Sequence, residues 1–462
     1  MQWGYIMKQG LKIGVRTKLL VGALALVMAT ASYASTQVAG GATLPAIGYV
    51  GTGAETSLQV ISPSANSLFG VWKSAVSSTA VSYCQTGSGS GKNILAGVSG
   101  FGVQNACTKD TSGTVHGFGA NATGVGRSDL TWPNVVGADS PLSLTDLNNF
   151  SADHSSTYLP VEFPAVAGAI SIALNETTTN GVVLNNTNTN FSDLQVCLIF
   201  SGTVTAWNDS RLASAFTLGT GDSIPADPIN VQYRSDGSGT SFSFSNHLSA
   251  AGQSSASGEC SSITSTSQHF VTDQSFVNVV KLYQSTIPSN WTGSSGNPSV
   301  ASAVKATAHS VGYVETANSQ AAVISFAKVN GKDPSATTDF GSPFAISSTV
   351  TNSYINGADA NTGRPVVTAI SPTPATSCIV LASPDSYALP SSGYPIVAVS
   401  YLLGSSQGNG GDLSNVQSLL FAPYNSTVTG SRSLTTFGPG KGLALLSGTG
   451  LTSTIINGCV TN

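Results

Sequence analysis

Arg234-Ser235-Asp236-Gly237-Ser238-Gly239-Thr240-Ser241 stands between a strand pattern, Ile229–Tyr233, and a helix pattern that starts near Phe242. A strand that passes through a Gly-rich turn into a helix is an α/β connection. It aims several unpaired backbone N–H groups, backed by the helix dipole, at one spot. Small hydroxyls add donors there. Arg234 brings a planar fork that matches a tetrahedral oxyanion, and Asp236 is near enough in sequence to orient the guanidinium. The plainer alternative is a capped helix start with a surface arginine.

Working outward, two more segments offer the same chemistry: Gly40-Gly41-Ala42-Thr43-Leu44-Pro45 and Gly87-Ser88-Gly89-Ser90-Gly91-Lys92. The second is not a nucleotide P-loop, because its spacing is one residue short and Asn93 stands where a Ser or Thr would hold magnesium. Helical patterns cover Ser67–Ala75, Ser192–Phe200, Ser241–Ser249, Ser275–Tyr283 and Ser414–Phe421. They alternate with strand patterns at Val81–Cys84, Ala165–Leu174, Ile229–Tyr233, Val311–Val314, Val366–Ile370 and Ile396–Leu402. This alternation favours α/β over an all-β sandwich. Thr86–Arg127, Thr177–Thr189, Ala251–Ser267 and Gly331–Arg364 are rich in Gly, Ser, Thr and Asn and read as extended loops. The apolar runs Phe163–Leu174 and Gly393–Leu403 read either as two crossings between lobes or as two buried core strands.

The 462 residues are about three times a usual domain. Only 8% are charged, so the surface is neutral and rich in hydroxyls. Lys8, Lys12, Arg16 and Lys18 precede the apolar run Leu19–Ala31, and small residues follow, which is the pattern of a secretory signal peptide over residues 1–34. The run is short of the roughly 20 apolar residues that span a bilayer. Without that leader, 13 basic face 21 acidic side chains, a net charge of −8 that disfavours nucleic acid and anionic membranes as partners. No cysteine lies near the leader to accept a lipid, so a periplasmic or secreted protein is expected.

Six cysteines in an exported chain point to disulfides. Fifteen pairings are possible, and the sequential set Cys84–Cys107, Cys197–Cys260 and Cys378–Cys459 is favoured. His116, His154, His247, His269 and His309 are scattered, without metal-ligand spacing, and no nucleophile elbow is present. No metal and no cofactor are expected.

Together the segments resemble the phosphate-binding receptors of ABC transporters, in order and across most of the chain. The matching runs are GGATLP at Gly40–Pro45, the Ser88 loop, GADSPLS at Gly137–Ser143, FPAVAGAISIALN at Phe163–Asn175, FSGTVTAWND at Phe200–Asp209, YRSDGSGTSF at Tyr233–Phe242 and VGYVE at Val311–Glu315. Within that superfamily the chain is similar to the secreted DING branch, through GGATLP, VCLIFSG at Val196–Gly202 and SGYPI at Ser392–Ile396. It departs from the branch at Ser35-Thr36-Gln37-Val38-Ala39, where the branch begins Asp-Ile-Asn.

The resemblance implies an α/β, bilobed periplasmic-binding-protein fold of type II with a two-strand hinge. Lobe one would be residues 37–163 with 395–462, and lobe two residues 164–394. It implies phosphate contacts at Thr43, Leu44, Ser88, Asp139, Arg234, Ser238, Gly239 and Thr240, with Asp236 orienting the arginine. Asp129 competes with Asp139, because an insertion around Thr108–Arg127 blurs the match. The expected function is capture of inorganic phosphate by hinge closure, as a monomer that serves an ABC transporter membrane component. The alternatives are a DING-type alkaline phosphatase, whose pocket would stabilise a transferring phosphoryl group, and an extracellular adhesion or matrix protein.

Overall fold

The computed structural model describes residues 35–51, 53–54, 59–253, 260–374 and 376–462. The expected leader, residues 1–34, lies outside them. Of the eleven strands in the main sheet among the described residues, nine matter here: β1 (Gln37–Gly41), β2 (Val81–Gln85), β3 (Val135–Ala138), β4 (Pro160–Asn175), β5 (Asn230–Arg234), β6 (Thr292–Ser294), β7 (Ser310–Glu315), β8 (Val397–Ser405) and β9 (Leu443–Ser447). Their order is β2-β1-β3-β8-β4-β7-β5-β6, with β9 also on β4. β1 pairs in parallel with β2 and β3, and β5 pairs in parallel with β6 and β7.

β4 joins these two parallel groups. Its first part runs antiparallel to β8, from Pro160↔Ser405 to Ala169↔Val397. Its second part runs antiparallel to β7, from Ile170↔Glu315 to Asn175↔Ser310. Every β4 residue except Asn175 is buried, which is why its sequence, apart from Glu162 and Ser171, is apolar rather than alternating. The two apolar runs therefore lie side by side in one ladder. β4 starts earlier than the pattern Ala165–Leu174 predicts, because Pro164 sits in the strand at a bulge. The register slips between Ser400 and Tyr401, which pair with Val166 and Pro164 and leave Ala165 as the extra residue.

Six helices matter here: α1 (Ser88–Ala96), α2 (Leu144–Asp153), α3 (Asp193–Phe200), α4 (Gly239–Gln253), α5 (Asn297–Ala306) and α6 (Leu413–Phe421). α1 corrects the expected loop Thr86–Arg127, which is irregular only from Gly97 onward. Two glycines hide its propensity. They are required because Gly91 packs on the Gly41 backbone, where a Cβ would come within 2.8 Å of Gly41 Cα. The loop expected over Gly331–Arg364 likewise holds the strand Ser353–Ala358, which pairs with Pro365–Ala369 in a separate hairpin. The helix expected over Ser67–Ala75 is α-helical at Leu68–Trp72, capped by Ser67, and continues as a π turn over Lys73–Ser77. That over Ser275–Tyr283 shortens to Phe276–Val280.

All six cysteines are paired in the sequential set, Cys84–Cys107, Cys197–Cys260 and Cys378–Cys459. Cys84 lies in β2, so the first bridge ties the irregular 97–127 excursion to the sheet edge.

Candidate functional site

The C-terminal ends of the parallel strands converge on one buried ring. β5 delivers Arg234 as its last residue, and its backbone N–H donates to Tyr313 Oη at 3.0 Å. Arg234 Nε and Nη2 donate to the two oxygens of Asp236 at 2.7 and 2.5 Å, and Nη1 donates to Thr240 Oγ1 at 3.1 Å. The guanidinium is 1% exposed. Burial works against its charge, but the facing Asp236 carboxylate outweighs this and raises its pKa. Burial likewise works against the Asp236 charge, and Arg234 outweighs it, so the Asp236 pKa falls. Both partners stay ionised.

From the other side, the turn after β1 brings Thr43 and Leu44, the start of α1 brings Ser88, and the residue after β3 is Asp139; all four are buried. Ser88 Oγ accepts from Asp139 N at 3.0 Å and faces Asp139 Oδ2 at 3.4 Å. Asp139 Oδ1 accepts no hydrogen bond of normal geometry. Burial pushes the Asp139 carboxyl up to about 7, opposed by the Ser400 hydroxyl, Arg234, Ser88 and the Leu44 N–H.

The two sides touch directly. Gly89 N–H donates to Gly237 O at 2.9 Å and Ser243 Oγ donates to Asp139 O at 3.2 Å. Gly239, the first residue of α4, lies so close that a Cβ there would come within 2.6 Å of Asp139 Cα. Gly239→Ala therefore forces the two sides apart and lowers stability by about 1–3 kcal/mol, the cost of overpacking. Gly458→Ala, in open space near the C-terminus, leaves it within about 0.5 kcal/mol. Thermal melts of the two variants check this.

The sequence reading missed Asn297. Its backbone N–H and Nδ2 both donate to Thr43 Oγ1, at 3.2 and 3.1 Å, and Nδ2 also donates to Thr240 Oγ1 at 3.0 Å. Asn297 Oδ1 accepts from Glu315 N at 3.2 Å, which fixes the amide. Thr43 and Thr240 are thereby used as acceptors on their outer side and keep their own O–H for the ring. The available signal was Gly296-Asn297-Pro298, a turn followed by proline at a helix start. Ser238 Oγ accepts from Ser241 N at 3.0 Å as the α4 cap, which also leaves its O–H to donate.

Asp129 stands elsewhere: it is 65% exposed and bonded to Arg127 at 2.9 Å. Asp139 is thus the carboxylate of the ring. Lys92 is tied to Asp146 at 2.7 Å and to Pro141 O at 3.1 Å, a structural role that agrees with the failed P-loop spacing. The histidines hold other contacts. His247 meets Asp193 at 3.2 Å, and His309 Nδ1 meets both Glu176 and Asp227, at 2.9 and 3.3 Å. Among the described residues, that last trio is the one cluster with metal-ligand spacing, and both carboxylates meet the same imidazole nitrogen.

The ring thus offers hydroxyls, helix-terminal N–H groups and one neutralised arginine, with one carboxylate among them. Such a set replaces the water of a buried tetrahedral oxyanion without large net positive charge.

A PBP superfamily domain model matches residues 49–363. The chain is 33% identical over 258 residues to Alkaline phosphatase L of Pseudomonas aeruginosa PAO1, covering 55% of this chain and 54% of that protein. It is 28% identical over 256 residues to Phosphate-binding protein PstS 3 of Mycobacterium leprae, covering 55% and 58%. The chain thus spans little more than half the length of these curated relatives. Among solved structures, a high affinity periplasmic phosphate-binding protein (PfluDING) bound with phosphate superposes with a TM-score of 0.56 at 19% identity, over 89% of this chain and 90% of that one. A phosphate-binding protein from Stenotrophomonas maltophilia gives 0.50 at 23%, over 84% and 83%. These two share the bilobed periplasmic-binding fold.

Proposed function

The chain belongs to the PBP superfamily, and from that membership we propose that it is an exported receptor that captures inorganic phosphate between two lobes. The reading rests on one observation above all: Asn297 donates to both Thr43 and Thr240 Oγ1, which leaves their O–H groups to donate to an anion beside Arg234 and Asp139. Phosphate would be held by Thr43, the Leu44 N–H, Ser88, Arg234, Ser238, the Gly239 and Thr240 N–H groups and Asp139. Lobe one would comprise residues 37–163 and 395–462, and lobe two 164–394. The handover of β4 from β8 to β7 between Ala169 and Ile170 supports a hinge in this strand.

A phosphate that keeps a proton at neutral pH donates it to Asp139, whereas sulfate has none to give. The receptor acts as a monomer and delivers its cargo to an ABC transporter membrane component. No helix among the described residues is long and apolar enough to cross a membrane.

Isothermal titration of the whole chain with inorganic phosphate tests the reading, run beside a phosphomonoester turnover assay. The expected result is a dissociation constant at or below about 1 μM, roughly −8 kcal/mol, with turnover no greater than a trace. Absence of binding heat and of competition would refute it. Turnover that co-purifies with the chain and vanishes in Arg234→Ala would replace the receptor by a phosphatase built on the same pocket.

A further inference from the structure

The excursion 97–127 meets the start of α5 through the cation of Lys109. Lys109 Nζ donates to Ser295 O at 3.0 Å and to Ser299 Oγ at 2.9 Å. These acceptors flank the start of α5, the turn that serves the ring from behind. Gly296 N–H donates to Asp236 Oδ1 at 3.0 Å, and Asn297 holds Thr43 and Thr240 as described. Lys109 therefore grips the outside of the turn whose inside orients the arginine's partner and two hydroxyls.

The arm that carries it is stiff. Asp110 Oδ1 accepts from Ser112 N and Thr114 N, at 2.8 and 2.9 Å, and Asp110 Oδ2 meets His116 Nε2 at 2.9 Å. Phe101 packs on the same imidazole, and the Cys84–Cys107 bridge fixes the base of the arm to β2. A lysine on so ordered a tip loses less freedom when it binds than one on a floppy loop. Burial lowers the Lys109 ammonium pKa, opposed by the Asp236 carboxylate.

We infer that Lys109 is a positioning residue that clamps the Ser295–Ser299 turn onto the 97–127 arm and so slows release of the bound anion. In its application to phosphate this rests on the function proposed above. The clamp joins the two sides as they stand in this structure, so its loss eases their parting and acts on the dissociation rate more than on the association rate.

The test compares wild type, Lys109→Met, Lys109→Arg and Ser299→Ala as full chains. Phosphate release followed by stopped flow should quicken about three- to tenfold in Lys109→Met, less in Ser299→Ala, and return toward wild type in Lys109→Arg. The double variant Lys109→Met/Ser299→Ala should fall short of the product of the singles. In ligand-free protein, amide exchange at Gly296 and Asn297 should rise in Lys109→Met while the melting midpoint holds. Release rates within twofold of wild type, or unchanged exchange at these two amides, overturn the clamp. If wild type binds no phosphate, the function reading falls, and the exchange experiment still decides the clamp alone.

Discussion

Arg234→Ala loses phosphate affinity by at least about 1.5–3 kcal/mol, roughly ten- to a hundredfold, the worth of a charge-assisted hydrogen bond. The loss is accompanied by an early melt. The guanidinium is buried and engages both oxygens of Asp236, so its removal strands an ionised carboxylate in the interior, a change of about 3–5 kcal/mol. These two effects can be separated. Arg234→Ala/Asp236→Asn takes out both charges and should regain much of the melting midpoint without regaining phosphate affinity. Arg234→Lys should recover only part of the binding, since an ammonium cannot span Asp236 and Thr240 at once. Titration and thermal melts of the three variants measure this. An Arg234→Ala protein that is folded and binds phosphate like wild type would move the site elsewhere.

Asp139→Asn relaxes rejection of sulfate more than it harms phosphate binding. The ionised carboxylate accepts from a protonated phosphate oxygen and repels a fully deprotonated sulfate, whereas the amide can donate to either. Arsenate, which shares phosphate's protonation pattern, competes in both proteins. Competition titrations with the three anions read this out, and undiminished sulfate discrimination in Asp139→Asn would remove the selectivity role. Stability carries a second signature. The Asp139 carboxyl is pushed up from 3.8 to about 7 by burial, so between these values the ligand-free native state binds more protons than the unfolded chain. Its contribution is fully present below about pH 4 and is lost as pH rises through 7. Glu315, pushed up to about 8 by burial, adds a fall of the same sign. Melts across this range should therefore fall less steeply in Asp139→Asn, with the Glu315 component remaining.

The parts of the site that were legible in the sequence are those whose chemistry is local. Arg234 to Ser241 is one turn, and its Gly, Ser and Arg content states both the backbone shape and the ligand type. The apolar runs around β4 and β8 announced themselves because strands buried on both faces lose the alternating pattern. β1 and β3 escaped notice because they are short and glycine-bearing, and α1 because its helix-poor composition is selected by contact with Gly41 rather than by propensity. Asn297 escaped for a different reason. Its importance lies in bonds to Thr43 and Thr240, residues 254 and 57 positions away, and nothing in its own neighbourhood encodes them. The choice between Asp129 and Asp139 also needed space rather than spacing: one pairs with Arg127 at the surface, the other faces Ser88.

β4 has a mechanical consequence. No tether separates its two halves, since residue 169 bonds into one ladder and residue 170 into the next. Any parting of the ring about this point must therefore twist β4, which continues from the β8 ladder into the β7 ladder. A hinge there would make β4 a torsion element whose rest angle is set by its two registers. The stiffness of such an element depends on side chains packed along the ladder, such as Tyr394, whose hydroxyl donates to Ile170 O at 2.8 Å at the handover itself.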